Sequence, residues 1–235
     1  MLERLPLLGG LALLAIAFVI GSIFIGHGIR DKNRNDVISV TGSAKKRIVS
    51  DYVVWDLAVT SEQASADAAA HELARWTTKI RSFLTTEGVK DGELSVQPIS
   101  TETVSRRGRV TSFRLTRSFE VRSPRVRDVT DVADRSSQLL GEGIPLQADA
   151  PNYVYTKLPT LRPELLAQAT RDARSRAHVI VDATGSHLGK LRRVSVGVFQ
   201  ITSPNSTEVE DYGVYDTSTL DKDVTAVVNV TFALK

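Results

Sequence analysis

The longest uninterrupted apolar segment of the chain runs from Leu5 to Ile25, and no charged residue lies between Arg4 and Arg30. As an α-helix rising 1.5 Å per residue, this segment would be about 31 Å long, close to the thickness of a bilayer's hydrocarbon core. A helix also satisfies its own backbone hydrogen bonds in lipid. The pattern therefore predicts a membrane anchor over residues 1–30 (its helix at about 5–29), a polar linker over residues 31–36 and a folded body over residues 37–235.

A cleaved secretory signal, which would leave the body free in the periplasm, is the alternative interpretation of the same segment. Signal sequences carry apolar regions of roughly 7–15 residues before a site of small residues. This segment is longer, and Ile25-Gly26-His27-Gly28 is a poor cleavage site for a signal peptidase, so an uncleaved anchor is favoured. Small residues four positions apart are typical of helices that pack in membranes, and here they are Ala17, Gly21, Ser22 and Gly26.

The charges beside the apolar segment bear on its orientation. Arg4 lies on one side, and Arg30, Lys32 and Arg34 lie on the other. The positive-inside rule leans slightly against export of the body, but long domains translocate largely regardless of charge. We therefore expect the N-terminus inside and the body outside.

Beyond the linker, alternation of apolar and polar residues predicts strands at Val37–Ser43 and Asp51–Thr60. In the second strand, Val53, Trp55, Leu57 and Val59 are predicted to form one buried face. Glu93–Thr103 and Val110–Arg122 are predicted to form an antiparallel pair, with Arg106-Arg107-Gly108-Arg109 at its tip because glycine supplies the turn geometry. Three further strands are predicted at Tyr153–Lys157, Leu191–Thr202 and Val224–Leu234.

Helical spacing of apolar residues predicts three helices. The first covers Ala66–Thr86, and Gly88 suits the position after its end. The second opens at Ser123-Pro124, with the apolar stripe Val126, Val129, Ala133 and Leu140. The third opens at Pro163 and ends near Thr184, with the stripe Leu166, Ala169, Ala173, Ala177, Ile180 and Ala183. The predicted fold class is therefore α+β, a mixed or antiparallel sheet packed by about three helices.

The segment Ser203–Leu220 between the last two predicted strands is polar and lacks basic residues. So long a connection is typical of a functional loop, a partner contact or disorder. Its acidic residues are Glu208, Glu210, Asp211 and Asp216.

Overall charge suggests a nucleic-acid partner, since the isoelectric point is about 9.2. The chain has 30 Lys and Arg against 27 Asp and Glu, but residues 1–34 hold four of the former and two of the latter. The remainder is thus nearly neutral and carries no nucleic-acid-binding motif. We expect no nucleic-acid partner. The absence of cysteine also excludes disulfides and thiol chemistry.

Known catalytic patterns do not fit this sequence. The four histidines are scattered, and His178 with Asp182 is better interpreted as a solvated pair on one helix than as a metal site. Ser43-Ala44-Lys45-Lys46 matches the S-x-x-K motif of penicillin-binding proteins, in which the serine starts a helix. Here the motif follows a predicted strand, and the Ser-Asp-Asn and Lys-Thr-Gly motifs of those enzymes are missing. We therefore predict no enzyme, no catalytic residue, no cofactor and no metal.

Several short motifs follow one another along the folded body. They are Thr41-Gly42, Asp51, Glu87-Gly88-Val89, Phe113–Arg122, the stretch Ala169-Thr170-Arg171-Asp172-Ala173-Arg174-Ser175-Arg176-Ala177, Gly185 and Leu188-Gly189. In this order and spacing they resemble the SIMPL domain family, which includes bacterial periplasmic immunogenic proteins. The resemblance covers about Val37–Lys235. It implies an α+β fold, an anchored or exported location in the bacterial envelope and self-assembly, and it brings no catalytic residues.

These observations favour a single-pass inner-membrane protein whose body is a binding or assembly module, forms homo-oligomers, contacts other envelope proteins and supports envelope integrity or stress tolerance. An enzyme, of hydrolase type, and an accessory subunit of a larger membrane complex stay open as alternatives. The expected contacts between copies join a cationic tip to an anionic loop. They are Arg106, Arg107 and Arg109 on one side and Glu208, Glu210, Asp211 and Asp216 on the other.

Overall fold

The structure is a computed structural model, and it describes residues 36–207 and 211–235. The predicted anchor over residues 1–30 and its small residues (Ala17, Gly21, Ser22 and Gly26) lie outside these ranges. Within them, no helix combines the length and the hydropathy that a membrane span requires.

The described residues confirm the α+β class, with antiparallel pairing throughout the named strands. The strands are β1 (Val37–Val49), β2 (Tyr52–Gln63), β3 (Leu94–Val96), β4 (Ser100–Arg106), β5 (Arg109–Ser123), β6 (Leu146–Ala148), β7 (Asn152–Val154), β8 (Leu188–Val196), β9 (Gln200–Thr202) and β10 (Asp221–Leu234). The helices are α1 (Ala66–Thr86), α2 (Val126–Arg135), the single turn α3 (Gln138–Gly141) and α4 (Leu158–Thr184).

The chain divides into two compact units. The first unit contains residues up to Ala44, then Leu166–Gly197 and Ala226–Lys235, and the second contains Lys45–Leu165 and Val198–Thr225. β1, α4 and β10 therefore contribute residues to both units.

β2 is the centre of the second unit. It pairs with β5 from Val53 to Gln63 and with β6 and β7 on its other side. The predicted inward face of β2 is confirmed, since Val53, Trp55, Leu57 and Val59 are all buried. Helix α1 packs its buried stripe on this core and matches the predicted bounds. Ser65 caps its N-terminus, and Gly88 follows its end with φ of +94°.

The hairpin β4–β5 confirms the predicted antiparallel pair and its tip. Arg107 and Gly108 both have positive φ, as the tightest hairpin turns require. The predicted first strand of the pair is divided in the structure, because β3 and β4 pair separately with β5.

The predicted start of the second helix is wrong by two residues. Ser123 ends β5, and the hydroxyl of Ser123 accepts a hydrogen bond from the backbone N–H of Arg125, which is the residue before α2. The predicted apolar stripe of this helix is also wrong at its last residue, Leu140. The helix is interrupted after Arg135, so the following turn buries Leu139 and leaves Leu140 exposed.

The predicted start and inner face of the third helix are corrected too. α4 begins at Leu158, and Pro163 lies inside it, where the ring removes one donor without ending the helix. Leu166 is half-buried, and Ile180 and Ala183 are exposed. From Leu161 onward, the buried residues follow at intervals of four and are Leu161, Leu165, Ala169, Ala173, Ala177 and Val181.

In the first unit, the Ala-rich part of α4 lies against β1 at Gly42. A Cβ placed on Gly42 would lie 2.2 Å from the Ala169 carbonyl oxygen and 2.4 Å from the Ala173 nitrogen. Next to this contact, the Asp172 carboxylate accepts the Ser43 N–H at 2.8 Å and the Arg176 Nε–H at 2.8 Å. These contacts explain physically why the Thr41-Gly42 and Ala169–Ala177 motifs occur in one chain.

One ion pair of the second unit leads to a pH prediction. Arg125 donates to both oxygens of Glu93, at 3.1 and 2.5 Å, and only 12% of the Glu93 side chain is exposed. Hydrogen bonds from Arg125 lower the pKa of Glu93 from 4.5 to about 2 despite burial, and Lys90 and Ser123 contribute further bonds.

Because the pKa of Glu93 is lower in the folded state, its contribution to stability is present above about pH 4.5 and is lost as the pH falls towards 2. Glu93→Gln is therefore expected to reduce the free energy of unfolding at pH 7 by about 2 kcal/mol and to flatten its acid dependence. Urea unfolding between pH 2 and 7 measures both effects. The control is Glu142→Gln, whose exposed pair with Lys79 is worth less than about 1 kcal/mol. Parallel acid profiles of the wild type and Glu93→Gln would contradict the prediction.

Candidate functional site

Strand β8 of the first unit is an edge that presents its whole length to solvent. In the described ranges it pairs on one side with β10 and with no strand on the other. None of its nine residues is buried. A long exposed edge is unusual, because unpaired N–H and C=O groups recruit other chains unless they are protected.

Two bulges in β8 align its apolar residues on one face. The register pairs Leu188, Leu191, Val194 and Val196 with Leu234, Phe232, Val230 and Val228 of β10, in that order. Cross-strand partners point to the same face, and strict alternation would have put Leu191 on the opposite face from Val194. Each register shift, between Thr231 and Phe232 and between Phe232 and Leu234, takes up one extra residue of β8.

The two strands differ in burial on this shared face. On β10, Val228, Val230 and Phe232 are buried. On β8, Leu191, Val194 and Val196 have exposed fractions of 55, 44 and 53%. The apolar row of β8 is thus aligned with the core but left open at the edge.

The polar residues of β8 are strongly cationic. The strand carries Lys190, Arg192 and Arg193 and no acidic residue, and all three cations are exposed. Lysine on an edge strand opposes pairing with a like strand. The edge therefore disfavours a second β8 and suits a partner with negative charge.

The sequence-predicted cations lie on the second unit, at the β4–β5 turn. Arg106, Arg107 and Arg109 are exposed, and none of them forms an ion pair with a residue of the described ranges. Their role as a contact between copies stays a prediction.

The sequence-predicted acidic residues are in different situations. Glu208 and Glu210 lie outside the described residues, and Asp211 is exposed. The side chain of Asp216, in contrast, is only 14% exposed and lies 3.5 Å from Lys222 Nζ. It also accepts hydrogen bonds from Ser218 and Thr219. Asp216 is thus engaged within its own unit, since β10 supplies a buried cation.

Two buried charged residues at the start of β10 were missed by sequence reasoning. Lys222 is fully buried and donates to the Thr219 carbonyl at 2.5 Å. Asp223 accepts from Lys45 at 2.7 Å and from Arg47 at 3.0 Å. The signal was available for Lys222, because it lies on the same face of β10 as Val224 and Ala226 by period-two spacing.

These charged groups do not form a cluster of the kind that binds a metal ion. The described residues contain no cluster of three His, Asp or Glu side chains that could hold a metal ion. His178 and Asp182 are both exposed on α4.

The fold and the surface together define an α+β domain with an open strand edge. A family model described as "SIMPL: Protein of unknown function (DUF541)" matches residues 38–232. The chain belongs to this family.

Comparisons with other proteins add little to the family assignment. No curated protein matches the sequence. A solved structure titled "De novo designed protein Foldit4" is similar at 14% identity and a TM-score of 0.22, over 42% of this chain and 93% of that chain. A second, the crystal structure of a hydrolase from Listeria innocua, is similar at 10% identity and a TM-score of 0.21, over 81% and 91%. Neither TM-score reaches 0.5, so neither likeness supports an argument about fold or activity.

Proposed function

We propose that this protein is a non-catalytic assembly module of the bacterial envelope, anchored in the inner membrane by residues 1–30 with its body outside. Copies assemble head to tail, and the assembly supports envelope integrity. The observation that carries this proposal is the β8 edge, with its open backbone, its aligned apolar row and its three cations.

The partner of the β8 edge in this proposal is the acidic segment of a second copy. The cations of the edge repel a second β8 but attract a negatively charged strand. Residues 208–212 read Glu-Val-Glu-Asp-Tyr, with three acidic residues among five. Such a contact is heterologous, and it closes into a ring where the rotation between copies allows.

The membrane raises the effect of each weak contact. Exposed ion pairs contribute only about 0–1 kcal/mol each. Anchoring confines copies to a surface and so raises their effective concentration. The cationic tip at Arg106, Arg107 and Arg109 is the competing site for the same acidic segment.

Cysteine cross-linking of the full chain tests assembly directly, because the natural sequence has no cysteine. Ser195→Cys on β8 and Thr207→Cys beside the acidic segment are exposed positions, and they are placed in separate, differently tagged copies. We expect a disulfide-linked heterodimer in membranes after mild oxidation. A membrane-impermeant thiol reagent applied to intact spheroplasts is expected to label both cysteines, as the outside orientation requires.

Two further pairs make the experiment decisive. Asp131→Cys on α2, also exposed, replaces Ser195→Cys as the control and is expected to give no heterodimer. Ser105→Cys, beside the arginine tip, tests the competing site. If only Ser105→Cys forms a heterodimer with Thr207→Cys, the contact lies at the arginine tip and not at β8. If neither Ser195→Cys nor Ser105→Cys forms a heterodimer, the assembly proposal is overturned. Labelling only after lysis would overturn the orientation.

A further inference from the structure

One end of the first unit brings together the start of β1, the end of α4 and the end of β10. The Leu234 N–H donates to the Asp36 carbonyl at 2.8 Å, and His187 exchanges two backbone hydrogen bonds with Lys235, at 3.1 and 2.9 Å. α4 reaches the same end, because it stops three residues before His187. The chain therefore enters the first unit beside the last turns of α4.

The side of α4 near this end is apolar and exposed. Val179 and Ile180 have exposed fractions of 67 and 45%. Ala183 is also exposed, and the helical repeat places it on the same side as these two residues. Among the described residues from Leu166 to His178, in contrast, α4 exposes no large apolar side chain. The exposed apolar surface of this part of α4 is thus confined to its last turns, where the chain enters.

β1 and β10 add one apolar and one cationic residue at this end. Val37, the first residue of β1, is 47% exposed. Lys235 is exposed and forms no ion pair within the described ranges, and a lysine can reach a lipid phosphate while its apolar stem lies against a surface. Asp36 and Asp182 are exposed here too, so apolar contact, and not net charge, is the main attraction that this end offers.

The chain that precedes β1 limits how far this end can lie from a bilayer. The predicted apolar segment ends at Ile25, and Asp36 follows it by eleven residues. Eleven residues reach at most about 38 Å when fully extended. With residues 1–30 in the membrane, the last turns of α4 are thus confined near the lipid at a high effective concentration. Exposed apolar surface in such a place is typical of a membrane contact.

We propose that the first unit rests on the membrane through this end, with Val179 and Ile180 in the headgroup region of the lipid. Val37 and Ala183 lie at the same surface, and Lys235 contacts lipid phosphates. The occupant of the apolar surface is the leaflet from which the chain emerges. This inference rests on the anchor of the proposed function, but it requires no contact between copies.

Fluorescence of the full chain in lipid nanodiscs that hold one copy each tests this contact separately from assembly. Val179→Cys supplies the only thiol of the chain and carries an environment-sensitive nitrobenzoxadiazole label. We expect its emission to shift to shorter wavelength, and lipids with a spin-labelled headgroup to quench it at least about twofold. The matched control is Ala167→Cys, which is also exposed on α4 but lies about 18 Å further from the end of the helix. Its label is expected to stay unquenched.

A second reporter tests the apolar side chains without a label on either of them. Thr184→Cys, exposed at the end of α4, is labelled in the same way and is expected to be quenched. Adding Val179→Asp and Ile180→Asp is expected to reduce this quenching at least about twofold, because charged side chains oppose entry into lipid. Val194→Asp on β8 is the matched control, since this valine is 44% exposed and the inference gives it no lipid contact. All these positions are exposed, so the midpoint of thermal unfolding is expected to stay unchanged.

Three results would overturn the inference while leaving the anchor intact, provided that the chain elutes with the nanodiscs. The first is a Val179→Cys label that the headgroup lipids do not quench. The second is equal quenching of the Ala167→Cys label, which would mean that the contact is not confined to the end of α4. The third is quenching of the Thr184→Cys label that the two aspartates leave unchanged. If the chain does not elute with the nanodiscs, the anchor of the proposed function fails, and this contact fails with it.

Discussion

Replacing Gly42 by alanine is expected to lower the free energy of unfolding of the first unit by about 3–4 kcal/mol. The added Cβ would lie 2.2 Å from the Ala169 carbonyl oxygen and 2.4 Å from the Ala173 nitrogen. These are backbone atoms of a helix, so no side chain can rotate to make room. The strand and the helix must separate, and the buried alanines of α4 lose their packing.

Chemical denaturation of the variant measures this loss, and amide hydrogen exchange locates it in β1, α4 and β10. The control is Gly92→Ala, because a Cβ at Gly92 meets no atom within 4 Å. It is expected to change the free energy of unfolding by less than about 0.5 kcal/mol. A Gly42→Ala protein as stable as Gly92→Ala would show that the close approach of β1 and α4 is not required.

Replacing Asp216 by asparagine is expected to destabilise the second unit by about 3–5 kcal/mol, because it leaves the ammonium of Lys222 buried without a carboxylate. Lys222 is fully buried, and Asp216 is the acidic group beside it, at 3.5 Å. Burial lowers the pKa of Lys222, while the attraction of Asp216 opposes that change. The charged form of the lysine thus depends on its neighbour.

Acid titration provides a second readout for the same pair. Burial opposes ionisation of Asp216, but hydrogen bonds from Ser218 and Thr219, together with Lys222, lower its pKa from 3.8 to about 2. The stabilisation is therefore present above about pH 4 and lost as the pH falls towards 2. In Asp216→Asn this part of the acid dependence should disappear.

Two controls separate a structural role of Asp216 from a role in contacts between copies. Asp211→Asn changes an exposed acid of the same loop and should leave stability within about 0.5 kcal/mol. The double variant Asp216→Asn with Lys222→Met removes both charges and should recover most of the lost stability. If Asp216→Asn instead weakens assembly and leaves the free energy of unfolding unchanged, the ion pair between Asp216 and Lys222 does not stabilise this loop.

Much of the fold follows from the periodicity of apolar residues and from the residues that mark the ends of helices and strands. The bounds of α1 were predicted correctly because the apolar stripe and Gly88 act over a few residues each. The inward face of β2 was predicted for the same reason, since alternation assigns a side without knowledge of its partner. The family was also identified from the sequence, because the order of its short motifs can be recognised without any knowledge of contacts.

The errors occurred where a neighbouring element decides the outcome. Ser123 reads as a helix cap, but pairing with β2 extends β5 to that residue, so α2 starts later. Spacing alone placed Ile180 on the inner face of α4. The row that packs closely is the one through Ala169 and Ala173, which meets Gly42 more than a hundred residues earlier in the chain.

The candidate surfaces depend still more on tertiary structure. The open face of β8 arises from two bulges that only the register with β10 shows, because residue spacing alone would separate Leu191 from Val194. A cleft of the second unit joins residues near Ser50, Arg127 and Leu220, three segments far apart in sequence. Periodicity determines which face of an element is buried, since it depends on neighbours along one chain segment. Which backbone and side-chain donors remain unpaired depends on contacts between distant segments. Only the tertiary structure decides those contacts, so the sequence by itself does not reveal them.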